Sequence, residues 1–279
     1  MRVAFLGPAG TFAEEALRAS APEGVEELPY PTIFEAVMAV QNGAVDRAVV
    51  PIENSTEGSV NATLDALAHE APDVRIVAEV DHPIHQTLIA GDGVALADVT
   101  RVLSHPQATA QCSRFIKQRL PDAQIVSTPS TAEGVRIVAG ANEPWAAIGP
   151  LLAADLYGAA VLAERIEDHP DNLTRFVWLG PAGAEPPAPA TKTSVVFWGF
   201  NDRSPGALMR VLGDFAERDL NLTKIESRPR RVALGHYIFF ADCEGAADDP
   251  AVAAALEALR ERVEVLRVLG SYPAAVTAA

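Results

Sequence analysis

A proline-rich break divides this chain and limits what can form on either side of it. Between Gly180 and Thr191 the sequence reads Gly-Pro-Ala-Gly-Ala-Glu-Pro-Pro-Ala-Pro-Ala-Thr, with prolines at 181, 186, 187 and 189. Proline has no amide proton and a fixed φ, so this stretch continues neither a helix nor an inner strand and reads as an extended linker. With 279 residues the chain has room for two domains. The break sets residues 1–180 and 192–273 apart, joined by a linker at 181–191.

The two sides differ in pattern. Before the break, short apolar runs alternate with amphipathic ones. Strands are expected at 2–6, 47–52, 101–103, 124–127, 146–148, 161–166 and 174–179, with 75–90 extended. Helices are expected at 12–20, 33–41, 59–69, 107–119, 131–141 and 151–157. Such alternation predicts a largely parallel α/β arrangement. After the break come a strand at 194–200, a helix at 206–219, a hairpin of 223–232 with 234–243, a helix at 250–262 and a strand at 264–272. That order, βαββαβ, is ferredoxin-like.

Charge excludes one class of partner. The chain carries 22 Lys and Arg against 37 Asp and Glu, a formal −15, of which residues 1–189 hold −14. A general nucleic-acid binder needs a basic face to displace counterions, and none is present. The acidic excess reads as a solvated surface that aids solubility. Taken alone, it also disfavours an anionic substrate. Cys112 and Cys243 lie far apart in apolar contexts and read as buried thiols, and no metal-ligand spacing occurs. The N-terminus lacks a secretory leader and no apolar run approaches a membrane span, so a cytoplasmic location is expected.

Four strand ends lead through small polar clusters into helices: Gly7–Thr11, Asn54–Ser59, Ser104–Gln107 and Ser127–Thr131. Serine and threonine there cap helices by accepting from orphan amides. In open α/β sheets such ends also converge on ligands, and helix N-termini suit carboxylate or phosphate. Both readings stand for each cluster. The glycine spacing fits neither a P-loop nor a dinucleotide fingerprint. Asn54 offers donor and acceptor together, to a ligand or to a turn. His105, held extended before Pro106, is a titratable group or a turn residue. Arg175 is the one basic residue between Arg165 and Lys192, suited to a structural ion pair or to a substrate carboxylate. The residues by themselves thus describe an anion-binding α/β cleft.

Taken together, Phe5–Phe12, Pro51–Gly58, Ser104–Gln107, Leu156–Gly158 and Thr174-Arg175-Phe176 resemble the prephenate dehydratase family. The tail resembles an ACT regulatory domain, through Pro205-Gly206-Ala207-Leu208 and Ile225-Glu226-Ser227-Arg228-Pro229. The match runs in family order from residue 2 to about 273. The resemblance implies a two-lobed catalytic region like a type II periplasmic binding protein. Its lobes would be 1–77 with 160–180, and 78–159, followed by the ACT domain at 192–273.

The implied reaction is decarboxylating dehydration of prephenate to phenylpyruvate, on the way to L-phenylalanine, and it needs no cofactor or metal. The resemblance assigns catalysis to Thr174, Asn54 and Gln107. It assigns substrate contacts to Thr11, Ser55, Ser104, Arg175 and Phe176, with helix-end amides holding carboxylates. It assigns phenylalanine binding between ACT domains to Gly206, Ala207, Leu208, Glu226, Ser227, Arg228 and Pro229. Met209 stands where the family commonly has valine. Assembly as a homodimer or homotetramer follows from the same resemblance, with neither membrane nor nucleic acid as partner. Some relatives carry an N-terminal chorismate mutase; here the pattern begins at Arg2, so no mutase activity is expected. Arogenate dehydratase and a non-catalytic small-anion binding protein are the alternatives.

Overall fold

A computed structural model describes residues 1–200, 204–232 and 235–275. In chain order the elements begin with β1 (Arg2–Leu6), α1 (Phe12–Ser20), β2 (Glu26–Tyr30), α2 (Ile33–Gln41), β3 (Arg47–Asn54), β4 (Gly58–Ser59) and α3 (Asn61–Asp65). They continue with β5 (Val74–Pro83), β6 (Thr87–Ala90), β7 (Arg101–Ser104), α4 (Pro106–Gln111), α5 (Ser113–Arg119), β8 (Gln124–Ser127) and α6 (Thr131–Ala139). Next are β9 (Trp145–Gly149), α7 (Leu151–Tyr157), β10 (Ala160–Ala163) and β11 (Leu173–Pro181). Beyond the linker lie β12 (Lys192–Trp198), α8 (Ala207–Ala216), β13 (Leu222–Pro229), β14 (Tyr237–Glu244), α9 (Pro250–Arg262) and β15 (Val265–Tyr272).

The region before the linker holds two sheets of the same design. The first has strand order β2-β1-β3-β11-β5 and the second β8-β7-β9-β6-β10. In each, four strands run in one direction, and the fourth position is filled by a strand that has just crossed from the other sheet and runs antiparallel to both neighbours. The sheets are therefore mixed, with all but this strand parallel. This repeated order, with two crossings, is the two-lobed arrangement the resemblance implies. The crossings fall later than the sequence suggests. Strand β5 stays in the first sheet as far as Pro83, and β10 pairs with β6 in the second, so residues 160–163 belong to the second lobe.

Local chemistry accounts for the elements. Thr32 accepts from the Glu35 amide at 3.1 Å to cap α2, and Ser130 accepts from the Glu133 amide at 3.1 Å to cap α6. Gly158, in the left-handed region at φ 64°, ends α7. Strand β2 was not expected from its residues, Glu-Glu-Leu-Pro-Tyr. It is an edge strand, where charge and proline are tolerated. The helix expected at 59–69 starts instead at Asn61 and loosens into a π turn over Ala66–Glu70. That expected at 107–119 breaks at Cys112 into α4 and α5.

The C-terminal sheet has order β13-β14-β12-β15, with α8 and α9 packed on one face. Leu234, expected to open the second hairpin strand, lies outside the described residues. The other face joins the first lobe: Val196, Ile238, Phe240 and Tyr272 share a core with Ala4, Val50, Ile52, Val177 and Leu179. Strand β15 lies directly on β5. A Cβ placed on Gly270 would sit 2.1 Å from the Ile76 carbonyl oxygen, so only glycine allows the two backbones this approach. Among the described residues no helix is long and apolar enough to cross a membrane.

Candidate active site between the lobes

Strand β3 ends in Asn54, and β11 pairs with it so that Thr174 stands opposite Asn54. On its other side Thr174 pairs with His82 at the end of β5. Opposed residues of antiparallel strands share a face, so Asn54, Thr174 and His82 form a row. Asn54 and Thr174 are 8% and 7% exposed.

The hydrogen bonds give this row a direction. The Asn54 side-chain oxygen accepts from the Thr56 amide at 3.0 Å, the Thr56 hydroxyl at 2.7 Å and the Glu57 amide at 3.0 Å. That turn leaves the Asn54 Nδ2 facing inward, where it donates to Asn172 Oδ1 at 2.8 Å, Thr174 Oγ1 at 2.9 Å and the Leu173 carbonyl at 3.1 Å. Thr174 Oγ1 is thus an acceptor from Asn54, which frees its own proton to donate elsewhere.

The second lobe closes on this row from both sides. Gln111 of α4 donates to Glu57 at 3.4 Å and accepts from Asn172 and from Gln86, each at 3.3 Å. At the other rim Tyr157 donates to the Ala9 carbonyl at 2.9 Å. Glu15 accepts from the Leu152 amide at 3.2 Å and contacts His82 Nε2 at 3.1 Å. Gly10, at φ 87°, lets the lobes meet: a Cβ there would lie 3.1 Å from that of Ala153. Between the lobes a cavity of about 250 Å³ is lined by Glu15, His82, His85, Thr87 and Arg165 among others. Arg165 has φ 52°, an uncommon conformation for a non-glycine residue.

The site residues named from sequence are therefore divided. Thr174, Asn54 and Ser55 come together; Ser55 accepts from the Leu173 amide at 2.9 Å. Gln107 lies at the exposed start of α4 in the second lobe. Ser104 is corrected: it is 0% exposed and donates to the Ile148 carbonyl at 2.6 Å. The Thr11 hydroxyl donates to the Leu6 carbonyl at 2.8 Å, so its proton is already engaged. Phe176 is corrected as well, since it lies in the core with Val3, Phe5 and Leu17.

Arg175 is the largest correction. Adjacent strand residues point to opposite faces, so its guanidinium turns away from Thr174, towards Glu53, Glu79 and Asp242.

Four amides at or near helix starts are engaged within the protein. Gly10 N–H is bonded by Glu14, that of Gln107 by His105, that of Glu133 by Ser130 and that of Leu152 by Glu15. Burial raises the Glu14 carboxyl, against the Gly10 hydrogen bond and the Arg18 charge. Burial likewise pushes the Cys112 thiol up, and that of Cys243 to about 11, so neither is a nucleophile. Asn172, Gln111, Gln86, His82 and Arg165 were missed, because each reaches the cleft through strand crossings rather than a local motif.

In the C-terminal sheet, Gly206 at φ 76° precedes α8, and Ala207 and Leu208 pack into its core. Alternation along β13 separates the second group. Ser227 and Pro229 are exposed, while Glu226 accepts from Ser59 at 3.1 Å and Arg228 pairs with Asp65 at 2.8 Å. Glu226 and Arg228 thus have partners in the first lobe within the same chain.

Comparison with known proteins supplies the family. A prephenate dehydratase model matches residues 3–184, and an ACT domain model matches residues 193–261. A prephenate dehydratase of Mycolicibacterium vanbaalenii is 42% identical, over 97% of this chain and 90% of that protein. The solved structure of an Arthrobacter aurescens prephenate dehydratase in complex with L-Phe superposes with a TM-score of 0.90 at 42% identity, covering 98% of this chain and 90% of that one. A second solved structure, described as GqqA, a novel type of quorum quenching acylase, has a TM-score of 0.87 at 32% identity and covers 98% of both chains. By the extent of these matches, the chain belongs to the prephenate dehydratase family.

Proposed function

We propose that the cleft converts prephenate to phenylpyruvate, with Thr174 as the donor to the departing hydroxyl. The ring carboxylate leaves as CO2, and its bonding electrons enter the ring. The C–O bond across the ring breaks, and the hydroxyl takes up a proton to leave as water. Aromatisation drives the electron flow, so the protein has to orient the ring and stabilise charge growing on the leaving oxygen. One observation carries the assignment: Asn54 donates to Thr174 Oγ1, which turns the threonine proton outward. A threonine hydroxyl is a weak acid, so it acts as a hydrogen-bond donor. Asn54 positions it, Gln107 and Ser55 offer further polar contacts, His82 and His85 line the cavity, and Arg165 supplies positive charge beside it.

We assign L-phenylalanine as effector of the ACT domain, supported by the L-Phe complex of the Arthrobacter aurescens relative. Gly206 to Leu208, with Ser227 and Pro229 on the outer side of β13, are the residues available for it. A homodimer or homotetramer in the cytoplasm is the form in which such a site between ACT domains would be complete.

Acylase chemistry, the activity named for the third relative, needs an activated nucleophile. His82, His85 and His105 are engaged by Glu15, Glu167 and the Gln107 amide rather than by a serine, threonine or cysteine. That favours the lyase reading.

The test is turnover of prephenate and arogenate side by side, with Thr174→Ala in parallel. Phenylpyruvate from prephenate, lowered about 10²–10³-fold in Thr174→Ala, is the expected result. Phenylalanine from arogenate alone would identify an arogenate dehydratase. Turnover of neither would make this a binding protein.

A further inference from the structure

Thr174 and Asn54 stand next to a fault in their own sheet. Along β3 and β11 the register runs Thr174 to Asn54 and Arg175 to Glu53, then shifts so that Phe176 faces Pro51. A bulge at this point interrupts the ladder and bends the strand beside the reacting pair. The ladder to β5 runs on unbroken past Thr174, so the fault lies on the β3 side alone. There the last pair before the bulge is Arg175 and Glu53, and both are gripped by the ACT domain.

The grip is dense. Arg175 Nη1 lies 3.2 Å from Glu53 Oε2, and its Nε lies 2.8 Å from Glu79 Oε2. Its Nη2 lies 2.7 Å from Asp242 Oδ2 on β14 and donates to the Tyr272 hydroxyl on β15 at 3.1 Å. From β13, Lys224 Nζ lies 2.9 Å from Glu53 Oε1 and donates to Ser59 at 2.9 Å. From β12, Lys192 pairs with Glu79 and Ser194 donates to Asp242 Oδ1 at 2.6 Å. All four ACT strands thus contribute to one cluster on the face opposite Thr174.

The cluster is also imperfectly satisfied. Among the described residues, four buried side-chain polar atoms lack an aligned hydrogen-bond partner. Three of them are Arg175 Nε, Glu79 Oε2 and Asp242 Oδ2. Short but bent ion pairs in a buried site leave room for a second arrangement. Only a planar guanidinium reaches three carboxylates and a hydroxyl at once; an ammonium group does not.

We propose that Arg175 is a positioning residue for the dehydration: through it, Asp242, Tyr272 and Lys224 of the ACT domain hold the bulge beside Thr174 and so set the aim of the Thr174 hydroxyl. This rests on the assignment of Thr174 as the donor. Docking of the ACT domain then acts on the chemical step rather than on substrate affinity.

Steady-state kinetics with prephenate on the full-length enzyme test this, with kcat and KM resolved and the melting temperature recorded. Asp242→Asn removes the ACT carboxylate from Arg175, and Lys224→Met removes the ACT contact to Glu53. Each is expected to lower kcat, about tenfold for Asp242→Asn, with KM within twofold, since a small misplacement of a reacting group costs turnover more than binding. Asp242→Glu should restore part of the loss. If Asp242→Asn does not fold, Tyr272→Phe, which keeps the ring and removes the hydroxyl that meets Arg175 and Ser194, replaces it. Parental kcat in Lys224→Met and in the Asp242 or Tyr272 variant, with only a lowered melting temperature, would make the cluster a docking seam and overturn the proposal. Thr174→Ala run alongside separates the two ideas. If it is inactive while the cluster variants are normal, only the positioning role fails. If it is active, the donor assignment fails and this proposal with it.

Discussion

At the scale of single residues, the site depends on which way one hydrogen bond runs. The turn at Asn54–Glu57 pins the Asn54 oxygen, so its nitrogen must meet Thr174. Asn54→Asp keeps the turn but replaces that donor with an acceptor. The threonine proton would then point back into the protein, and kcat should fall at least about 10²-fold with little loss of fold; a rate near the parent's would show that the direction of this bond is irrelevant. Asn54 was noticeable in the sequence as a polar residue ending a buried strand, whereas Thr174 was named only through the family resemblance. Arg175 and Phe176 could be misread because a three-residue motif looks like one site. On a strand, neighbours face opposite ways, so Arg175 was bound to leave the cleft once Thr174 entered it. Phe176 shares Thr174's face but lies deeper in the strand, among the core residues packed under α1. Asn172 and Gln111 carried no local signal, since they meet only because the chain crosses between lobes twice.

At the scale of elements, the strands that pack in the core were the most legible, and the edges and seams the least. Strand β2 hides behind two glutamates and a proline because an edge tolerates them. The crossing positions were misjudged because residues 75–90 read as one extended run, whereas the polar stretch from Asp81 to Gln86 is where β5 ends and the chain turns towards β6. The seam between β5 and β15 depends on Gly270. Gly270→Ala would drive a methyl group into the Ile76 carbonyl and force the two strands apart. Overpacking of this kind costs about 1–3 kcal/mol, so the melting temperature should drop by about 2–10 °C. An unchanged melting temperature would mean the seam is looser than the packing of Gly270 implies.

At the scale of the whole molecule, the formal charge of −15 is balanced locally where the domains meet. Arg228 and Arg231 of the ACT region converge on Asp65 of the first lobe. Burial alone would raise the Asp65 carboxyl, but the Arg228 hydrogen bond and the Arg228 and Arg231 charges outweigh it and hold it below the usual carboxylate range. A carboxyl depressed on folding contributes stability above its unfolded value, and the contribution is lost as pH falls through the folded value. Thermal stability should therefore include an acid-sensitive component that fades below about pH 4. Asp65→Asn should be less stable than the parent at neutral pH and lose this component on acidification; identical pH profiles for the two proteins would contradict the reading. The net charge argues against a general nucleic-acid binder. It did not exclude a dianion, because exposed charges are screened beyond about 8–10 Å while groups in the cleft act at contact. The central claim is that the Thr174 hydroxyl donates to the departing oxygen. Replacing it with the near-isosteric Thr174→Val, and measuring kcat for prephenate beside Thr174→Ser, isolates that one O–H. The expected result is a loss of about 10²–10³-fold in Thr174→Val with substantial activity kept by Thr174→Ser, whereas a Thr174→Val enzyme turning over at the parental rate would contradict it.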